Sequence, residues 1–218
     1  MSRIIVFGGH GRIALLLAPL LVAQGDEVTG VIRNPAHAPE VEAGGARALV
    51  ADVENMDVEA LAEIIRGHDA VVWSAGAGGG SPERTYAVDR DAAQRSMDAA
   101  ERAGVRRYVM VSWLGSTADH GVPEGDSFYP YADAKWAADE HLRASGLEGT
   151  ILGPGTLTFD APTSRVQIDP DGSGAVSRAD VAAVIAATLH APCTIGRTIR
   201  FGNGDPESSV PIAEALGC

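Results

Sequence analysis

Two residues four positions apart, Tyr131 and Lys135, are the first candidates for chemistry in this chain. In a helix, this spacing puts a phenol and an ammonium on one face, where the ammonium lowers the phenol pKa. Such a phenol exchanges a proton with a carbonyl or hydroxyl oxygen. Ser112 ends the predicted strand before this segment, so its hydroxyl can hydrogen-bond the same oxygen. We therefore predict a catalytic set of Ser112, Tyr131 and Lys135. In the alternatives, Tyr131 and Lys135 are ordinary surface residues, or Tyr129 is the acid.

A glycine-rich turn lies near the amino terminus, directly after the first predicted strand. Gly9–Ala14 has the spacing G-x-G-x-x-A, in which the first glycine makes the turn and the second admits a pyrophosphate to the main chain. Free amides and the positive end of the following helix attract phosphate. The spacing predicts a dinucleotide site, and the alternative is a tight turn without a ligand. His10, within the turn, contacts a phosphate in the first case and is simply exposed in the second.

Residues after the second and third predicted strands indicate which dinucleotide would bind. Arg33 stands about twenty residues beyond the turn, where NAD-binding proteins usually place an acid against the ribose 2′-hydroxyl. A guanidinium there favours a 2′-phosphate, so Arg33, helped by Arg12, favours NADP(H) over NAD(H). The alternative is a solvated arginine in a turn. Asp52 would meet the adenine amino group while Val53 packs on the ring, or Asp52 would cap the helix that follows.

Short β-branched runs alternate with helical stretches along most of the chain, a pattern typical of consecutive βαβ units. It predicts an α/β fold: a Rossmann-like, doubly wound parallel sheet with helices on both faces and ligand sites at the carboxyl ends of the strands. The predicted strands are Arg3–Phe7, Glu27–Ile32, Ala46–Ala51, Ala70–Ser74, Arg107–Ser112 and Gly149–Leu152. The predicted helices are Arg12–Gln24, Val58–Arg66, Arg84–Ala103 and Tyr131–Ser145.

The pattern changes after Pro154, where a hairpin, a capped helix and a last strand are predicted. These are a turn at Asp169–Gly172 between Arg165–Ile168 and Gly174–Val176, a helix over Val181–Leu189 after a capping box from Ser177 to Asp180, and a strand over Thr198–Phe201. We predict one domain over residues 1–218. Its part 155–218 forms a small substrate lobe or a cover for the sheet edge.

The amino-acid composition limits the kinds of partner that the protein can bind. The 218 residues carry 17 basic and 29 acidic side chains, which gives a net charge of −12. This charge repels nucleic acid and anionic membranes, and no cluster of arginines offsets it. The apolar stretch Ile13–Ala23 is too short to span a bilayer, so no membrane segment is expected. Cys193 and Cys218 indicate neither a disulfide framework nor a zinc site, which fits a cytoplasmic location. The expected partner is a small-molecule substrate, and nothing in the sequence indicates the oligomeric state.

Together these motifs resemble the atypical short-chain dehydrogenases/reductases, small NAD(P)-binding proteins related to the extended sugar epimerases and to flavin reductase-like proteins. The resemblance covers nearly the whole chain, including the glycine turn, the Tyr131-x-x-x-Lys135 segment and Val176–Ala182. It implies that Lys135 and Pro154 line the ribose and nicotinamide. The cofactor-contacting residues expected from the motifs and the resemblance are Gly8, Gly9, His10, Gly11, Arg12, Ile13, Arg33, Asp52, Val53, Ser74, Ala75, Gly76, Lys135 and Pro154.

The chain also departs from the family pattern. Gly153-Pro154-Gly155 stands where the family often has Arg-Pro-Gly, Pro19 is expected to interrupt the first helix, and the spacing from Ser112 to Tyr131 is long. The expected function is NADP(H)-dependent oxidoreduction of a small carbonyl or hydroxyl compound. Two alternatives stay open: a non-catalytic NADP(H)-binding redox sensor, and a flavin or quinone reductase that needs no tyrosine.

Overall fold

A mostly parallel β-sheet forms the centre of this protein, of which the computed structural model describes residues 1–79, 81–171 and 174–217. The strands are β1 (Arg3–Phe7), β2 (Glu27–Ile32), β3 (Arg47–Val50), β4 (Ala70–Trp73), β5 (Arg107–Val111), β6 (Glu148–Pro154), β7 (Leu157–Thr158), β8 (Arg165–Ile168), β9 (Val176–Ser177), β10 (Thr198–Gly202) and β11 (Val210–Pro211). Nine of these described strands form one sheet in the order β11-β8-β10-β6-β5-β4-β1-β2-β3, and β7 pairs with β9 separately. In the large sheet β8 pairs antiparallel with β10 and with β11, and the other described pairings are parallel.

Helices cover both faces of the sheet. They are α1 (Arg12–Ala23), α2 (Ala38–Ala43), α3 (Val58–Ile65), α4 (Pro82–Thr85), α5 (Ala93–Ala103), α6 (Tyr129–Ala144), α7 (Arg178–Leu189) and α8 (Ile212–Leu216), with a π-helix over Tyr86–Ala92 and 3-10 turns at Pro35–His37 and Pro192–Thr194. Alternate residues of β1 belong to two apolar clusters: Ile4 and Val6 pack with α1 and α7, whereas Ile5 and Phe7 pack with α3 and α5. Because successive strand residues point to opposite faces, the sheet is buried on both sides. This confirms the predicted Rossmann-like α/β fold.

The six strands predicted before Pro154 are all present, two of them with the predicted bounds. Side chains cap the starts of two helices. Ser177 accepts from the Asp180 amide at the start of α7 (3.0 Å), as predicted, and Asp57 accepts from the Ala60 amide at the start of α3 (2.8 Å). Parallel strands have their carboxyl ends on one side of the sheet. The loops after β1, β4, β5 and β6 therefore meet there.

The predicted hairpin in the carboxy-terminal part is wrong. β8 and β9 do not pair with each other; β8 pairs with β10 through Ile168 and Phe201, and β9 pairs with β7. β10 belongs to the large sheet and is a longer strand than β9, so it is the better partner for β8. Gly172, in the predicted turn, lies outside the described residues. The predicted last strand is present as β10, but β11 follows it.

Two smaller expectations were also wrong. Pro19 lies inside α1, which continues to Ala23 because Leu17 and Leu21 on either side of the proline are fully buried and hold the helix on the sheet. Cys193 is disulfide-bonded, whereas no disulfide was expected; Cys218 lies outside the described residues. Within the described ranges, every helix is too short or too polar to cross a lipid bilayer.

Candidate functional site

A cavity of about 1260 Å³ opens at the carboxyl ends of the central strands. The residues that follow β4, β5 and β6 line it, together with the start of α6. Eight of the predicted site residues meet at its wall, namely Ile13, Ser74, Ala75, Gly76, Ser112, Tyr131, Lys135 and Pro154. In a doubly wound sheet this is the position of the ligand crevice.

The glycine turn lies beside this cavity and is closely packed. A Cβ on Gly8 would lie 2.7 Å from the Ala75 Cα, and a Cβ on Gly9 would lie 2.7 Å from the Gly30 Cα. Gly8 also has a φ of +80°, which other residues rarely adopt. The Gly9 amide donates to the Val31 carbonyl (2.8 Å), so part of the turn's hydrogen-bonding capacity is used to hold its own shape.

The amino end of α1 fits a phosphate. Unlike α3 and α7, α1 has no capping side chain, since its N-cap is Gly11, and its first turn carries no acidic residue. The first amides of a helix have no acceptor within the helix, so the start of α1 offers N–H groups and the positive helix end to an anion. Ile13, in this turn, lines the cavity. The local structure therefore suits the diphosphate of a dinucleotide.

Lys135 is buried beneath the cavity, with 1% of its surface exposed. Its Nζ donates to the Val111 carbonyl oxygen at 2.7 Å, so the ammonium is held at the carboxyl end of β5. Burial lowers the pKa of Lys135, while the charges of Asp139 and Asp89 oppose that change. Two carboxylates thus face one ammonium in the wall of the site.

Tyr131 differs from expectation in its acidity. Burial raises the pKa of its phenol, and the charges of Asp89 and Asp139 raise it further. The expectation of a lowered Tyr131 pKa is therefore wrong for the structure as it stands, because burial and two nearby carboxylates raise that pKa. Tyr131 is a protonated phenol at neutral pH and suits the role of a proton donor.

Asp139, four residues after Lys135, holds Ser112 in place. Its Oδ2 accepts from the Ser112 hydroxyl at 2.5 Å and from the Ser116 hydroxyl at 2.6 Å. Its Oδ1 is buried without a hydrogen-bond partner among the described residues. Burial raises the pKa of Asp139, and the Lys135 charge and the two serine hydrogen bonds counteract it. Since the Ser112 proton is directed to Asp139, Ser112 donates to a substrate only if that hydrogen bond is exchanged.

Asp89 is the second carboxylate that sequence reasoning missed. It lies in the π-helix, is almost fully buried, and accepts from the Ala77 amide at 2.9 Å, which fixes the turn after β4. Burial raises the pKa of Asp89, opposed chiefly by Lys135. Asp139 follows Lys135 at helical spacing and was open to prediction from that spacing. Asp89 was not, because a π-helix shifts the register of the residues that face inwards.

The residues predicted to meet the adenosine end lie outside the cavity wall. Arg33 is exposed after β2 and pairs with Glu54 at 3.5 Å. Asp52 accepts from the Asn55 side chain (2.8 Å), and since Asp57 caps α3, the capping alternative for Asp52 is wrong. Val53 packs against the second apolar cluster.

Other predicted residues sit close to the turn. His10 stacks on His37 with ring centroids 3.6 Å apart and hydrogen-bonds Glu40 at 3.0 Å. Gly8, Gly9, Gly11 and Arg12 form the turn and helix start and do not line the cavity wall themselves.

Aromatic side chains form one side of the cavity. Trp113 meets Phe128 edge to face at 5.1 Å, and Phe128 contacts Tyr131 at the same centroid distance. Both Trp113 and Phe128 line the cavity. Tyr129, the alternative acid, instead packs on His120 and is absent from the wall.

The fold and this site define an NAD(P)-binding protein of the short-chain dehydrogenase/reductase type. A sequence profile of the NAD(P)H-binding family matches residues 8–192, and the chain belongs to that family. It is 35% identical to the uncharacterized sugar epimerase YhfK of Bacillus subtilis over 98% of both chains. A solved structure named as an NAD-dependent epimerase/dehydratase of Bacillus halodurans aligns with a TM-score of 0.90 and 32% identity over 99% of both chains. The oxidoreductase ylbE of Lactococcus lactis aligns with a TM-score of 0.86 and 28% identity, covering 98% of this chain and 94% of that one.

Proposed function

We propose that this protein is an NADPH-dependent reductase of a small carbonyl compound. The observation that carries the proposal is the meeting of Ser112, Tyr131 and Lys135 in one cavity wall beside the uncapped start of α1. When bound, NADPH supplies a hydride to the carbonyl carbon. The carbonyl oxygen takes a proton from the protein, so that the products are an alcohol and NADP⁺.

Tyr131 is the proton donor in this proposal. Its raised pKa keeps the phenol protonated at neutral pH, which favours reduction of a carbonyl over abstraction of a proton from an alcohol. Loss of the proton leaves a phenolate, which the buried Lys135 ammonium stabilises. Asp139 holds Ser112 at the end of β5, and the Ser112 hydroxyl positions the substrate oxygen when it exchanges its hydrogen bond to Asp139 for one to that oxygen.

Arg33 supports the choice of NADPH over NADH. It stands directly after β2 in the place that an acid occupies when a ribose 2′-hydroxyl is bound, and 59% of its side chain is exposed. Its ion pair with Glu54 is long, and the arginine side of the pair is exposed, so the pair is weak. A 2′-phosphate can displace it and form a bidentate contact with the guanidinium.

Two variants test the proposal. Tyr131→Phe is expected to lower kcat by roughly 100-fold or more on carbonyl compounds that the wild type reduces, with NADPH affinity unchanged. Tyr129→Phe is the matched control and is expected to keep full turnover. Arg33→Ala is expected to weaken NADPH binding but not NADH binding in a fluorescence titration. Full turnover by Tyr131→Phe would remove Tyr131 from the mechanism, and equal effects on both nucleotides would refute the NADP preference.

A further inference from the structure

Arg12 and Arg178 share one exposed aromatic ring at the edge of the cavity. The Arg12 guanidinium carbon lies 4.8 Å from the centroid of the Phe159 ring, and that of Arg178 lies 4.1 Å from it. Arg178 lines the cavity, and Arg12 begins α1 at the glycine turn. Phe159 keeps 74% of its surface exposed, so burial of the ring does not explain its position.

Neither guanidinium has a carboxylate partner among the described residues, although Asp160 is the next residue after Phe159. The Arg12 side chain makes no described hydrogen bond. Arg178 uses Nη1 to donate to the carbonyls of Leu157 (3.2 Å) and Thr158 (2.8 Å), which leaves its Nε and Nη2 without a described acceptor.

The other two arginine–aromatic contacts of the described structure differ in this respect. Arg90 lies over Tyr86 and pairs with Asp91 at 2.6 Å. Arg143 lies over Trp136 and pairs with Glu140 at 2.5 Å. Arg12 and Arg178 instead share one ring and have no described carboxylate partner beside them. Burial and the Arg12 charge lower the pKa of Arg178, so the two positive charges disfavour one another where they stand.

We propose that Arg12, Arg178 and the Phe159 ring form an anion-binding site that takes a phosphate-type oxyanion at the edge of the cavity. The ring holds both guanidiniums by cation–π contact, and a multi-oxygen anion accepts from both and cancels their repulsion. The source of the oxyanion is either the diphosphate of NADPH or an anionic substituent of the substrate. The choice of NADPH and carbonyl compounds as probes rests on the proposed function, whereas the site itself does not.

Inorganic pyrophosphate, titrated calorimetrically without nucleotide, tests the site directly. Arg178→Gln is expected to weaken pyrophosphate binding by roughly tenfold or more, because a charge-assisted hydrogen bond is lost. Arg143→Gln is the control, since it removes an arginine that also lies on an aromatic ring but does not line the cavity. If Arg178→Gln fails to fold after losing its bonds to β7, Arg12→Gln replaces it, because that side chain makes no described hydrogen bond. Equal pyrophosphate affinity in the wild type and the arginine variants, or no binding by the wild type, would overturn the proposal.

Two further measurements assign the source of the anion. A matching loss of NADPH affinity in Arg178→Gln identifies the cofactor diphosphate. Unchanged NADPH affinity, with a roughly tenfold loss of kcat/KM for a 2-oxo acid but not for its amide, identifies the substrate. The two proposals can fail separately. If the wild type reduces no carbonyl compound, the proposed function is refuted. If Arg178→Gln still binds pyrophosphate more weakly than the wild type, the anion site is supported all the same.

Discussion

Asp139 carries a buried carboxyl group whose ionisation is unfavourable in the folded protein. Burial raises its pKa above the unfolded value, and Lys135 and two serine hydroxyls offset only part of that change. A carboxyl with a raised folded pKa binds more protons in the folded state between the two pKa values. The free energy of unfolding therefore falls as the pH rises through that interval.

Asp139→Asn is expected to remove this pH dependence. Relative to wild type, the variant should become progressively more stable as the pH rises from about 4 towards neutrality, because asparagine stays uncharged while its amide oxygen still accepts from Ser112. Urea unfolding at several pH values measures the difference. Asp119→Asn, an exposed aspartate, should show no such trend. A constant stability difference for Asp139→Asn across the range would mean that Asp139 is not the group responsible.

Asp180 joins three segments of the carboxy-terminal part. It is fully buried in the first turn of α7 and accepts from the amides of Thr163 (2.9 Å) and Ser164 (2.8 Å), from the Ser177 hydroxyl (2.9 Å) and from the Asn203 side chain (2.6 Å). Burial acts to raise the pKa of Asp180, but these hydrogen bonds together lower it below the ordinary value. The ionised form is therefore favoured by folding.

Asp180→Asn is expected to destabilise the protein by about 2 kcal/mol at neutral pH, since an amide cannot satisfy the same set of donors. A lowered folded pKa gives stability that is present above the unfolded value near 4 and is lost as the pH falls through the folded pKa. The difference between variant and wild type in urea unfolding should therefore shrink below about pH 4. Asp119→Asn again serves as control, and an equal difference at pH 7 and pH 3 would contradict the role given to Asp180.

The same elements show what the sequence can reveal. β1, β2 and α1 were predictable because period and turn chemistry act within a few residues, and Ser177 and Asp180 cap α7 as their spacing indicates. β8 was predicted with its observed bounds, but its partner was predicted wrongly, because β10 lies about thirty residues later and beyond the reach of a local turn rule. Helical spacing predicted the Tyr131–Lys135 pair. The pKa of the Tyr131 phenol, however, depends on Asp89, which only the three-dimensional structure brings close.

For the whole molecule, one sheet connects the glycine turn to the carboxy-terminal strands. β10 pairs with β6 within the large sheet, and α1 and α7 share one apolar cluster, so residues 155–218 and the amino-terminal part have a common core. We therefore expect one cooperative unfolding transition, in keeping with the prediction of a single domain. A ligand that binds only the folded state should stabilise all of it together.

NADPH at one hundred times its dissociation constant is accordingly expected to raise the free energy of unfolding by about 2.7 kcal/mol. Differential scanning calorimetry should show one peak that moves to higher temperature as NADPH is added, with no shoulder left at the original position. Adenosine at the same concentration lacks the phosphates that the start of α1 would bind and should shift the peak far less. A second peak whose temperature does not change with NADPH would show that the carboxy-terminal part unfolds on its own. The shared α1–α7 cluster would then not couple the two parts, and the single-domain prediction would fail.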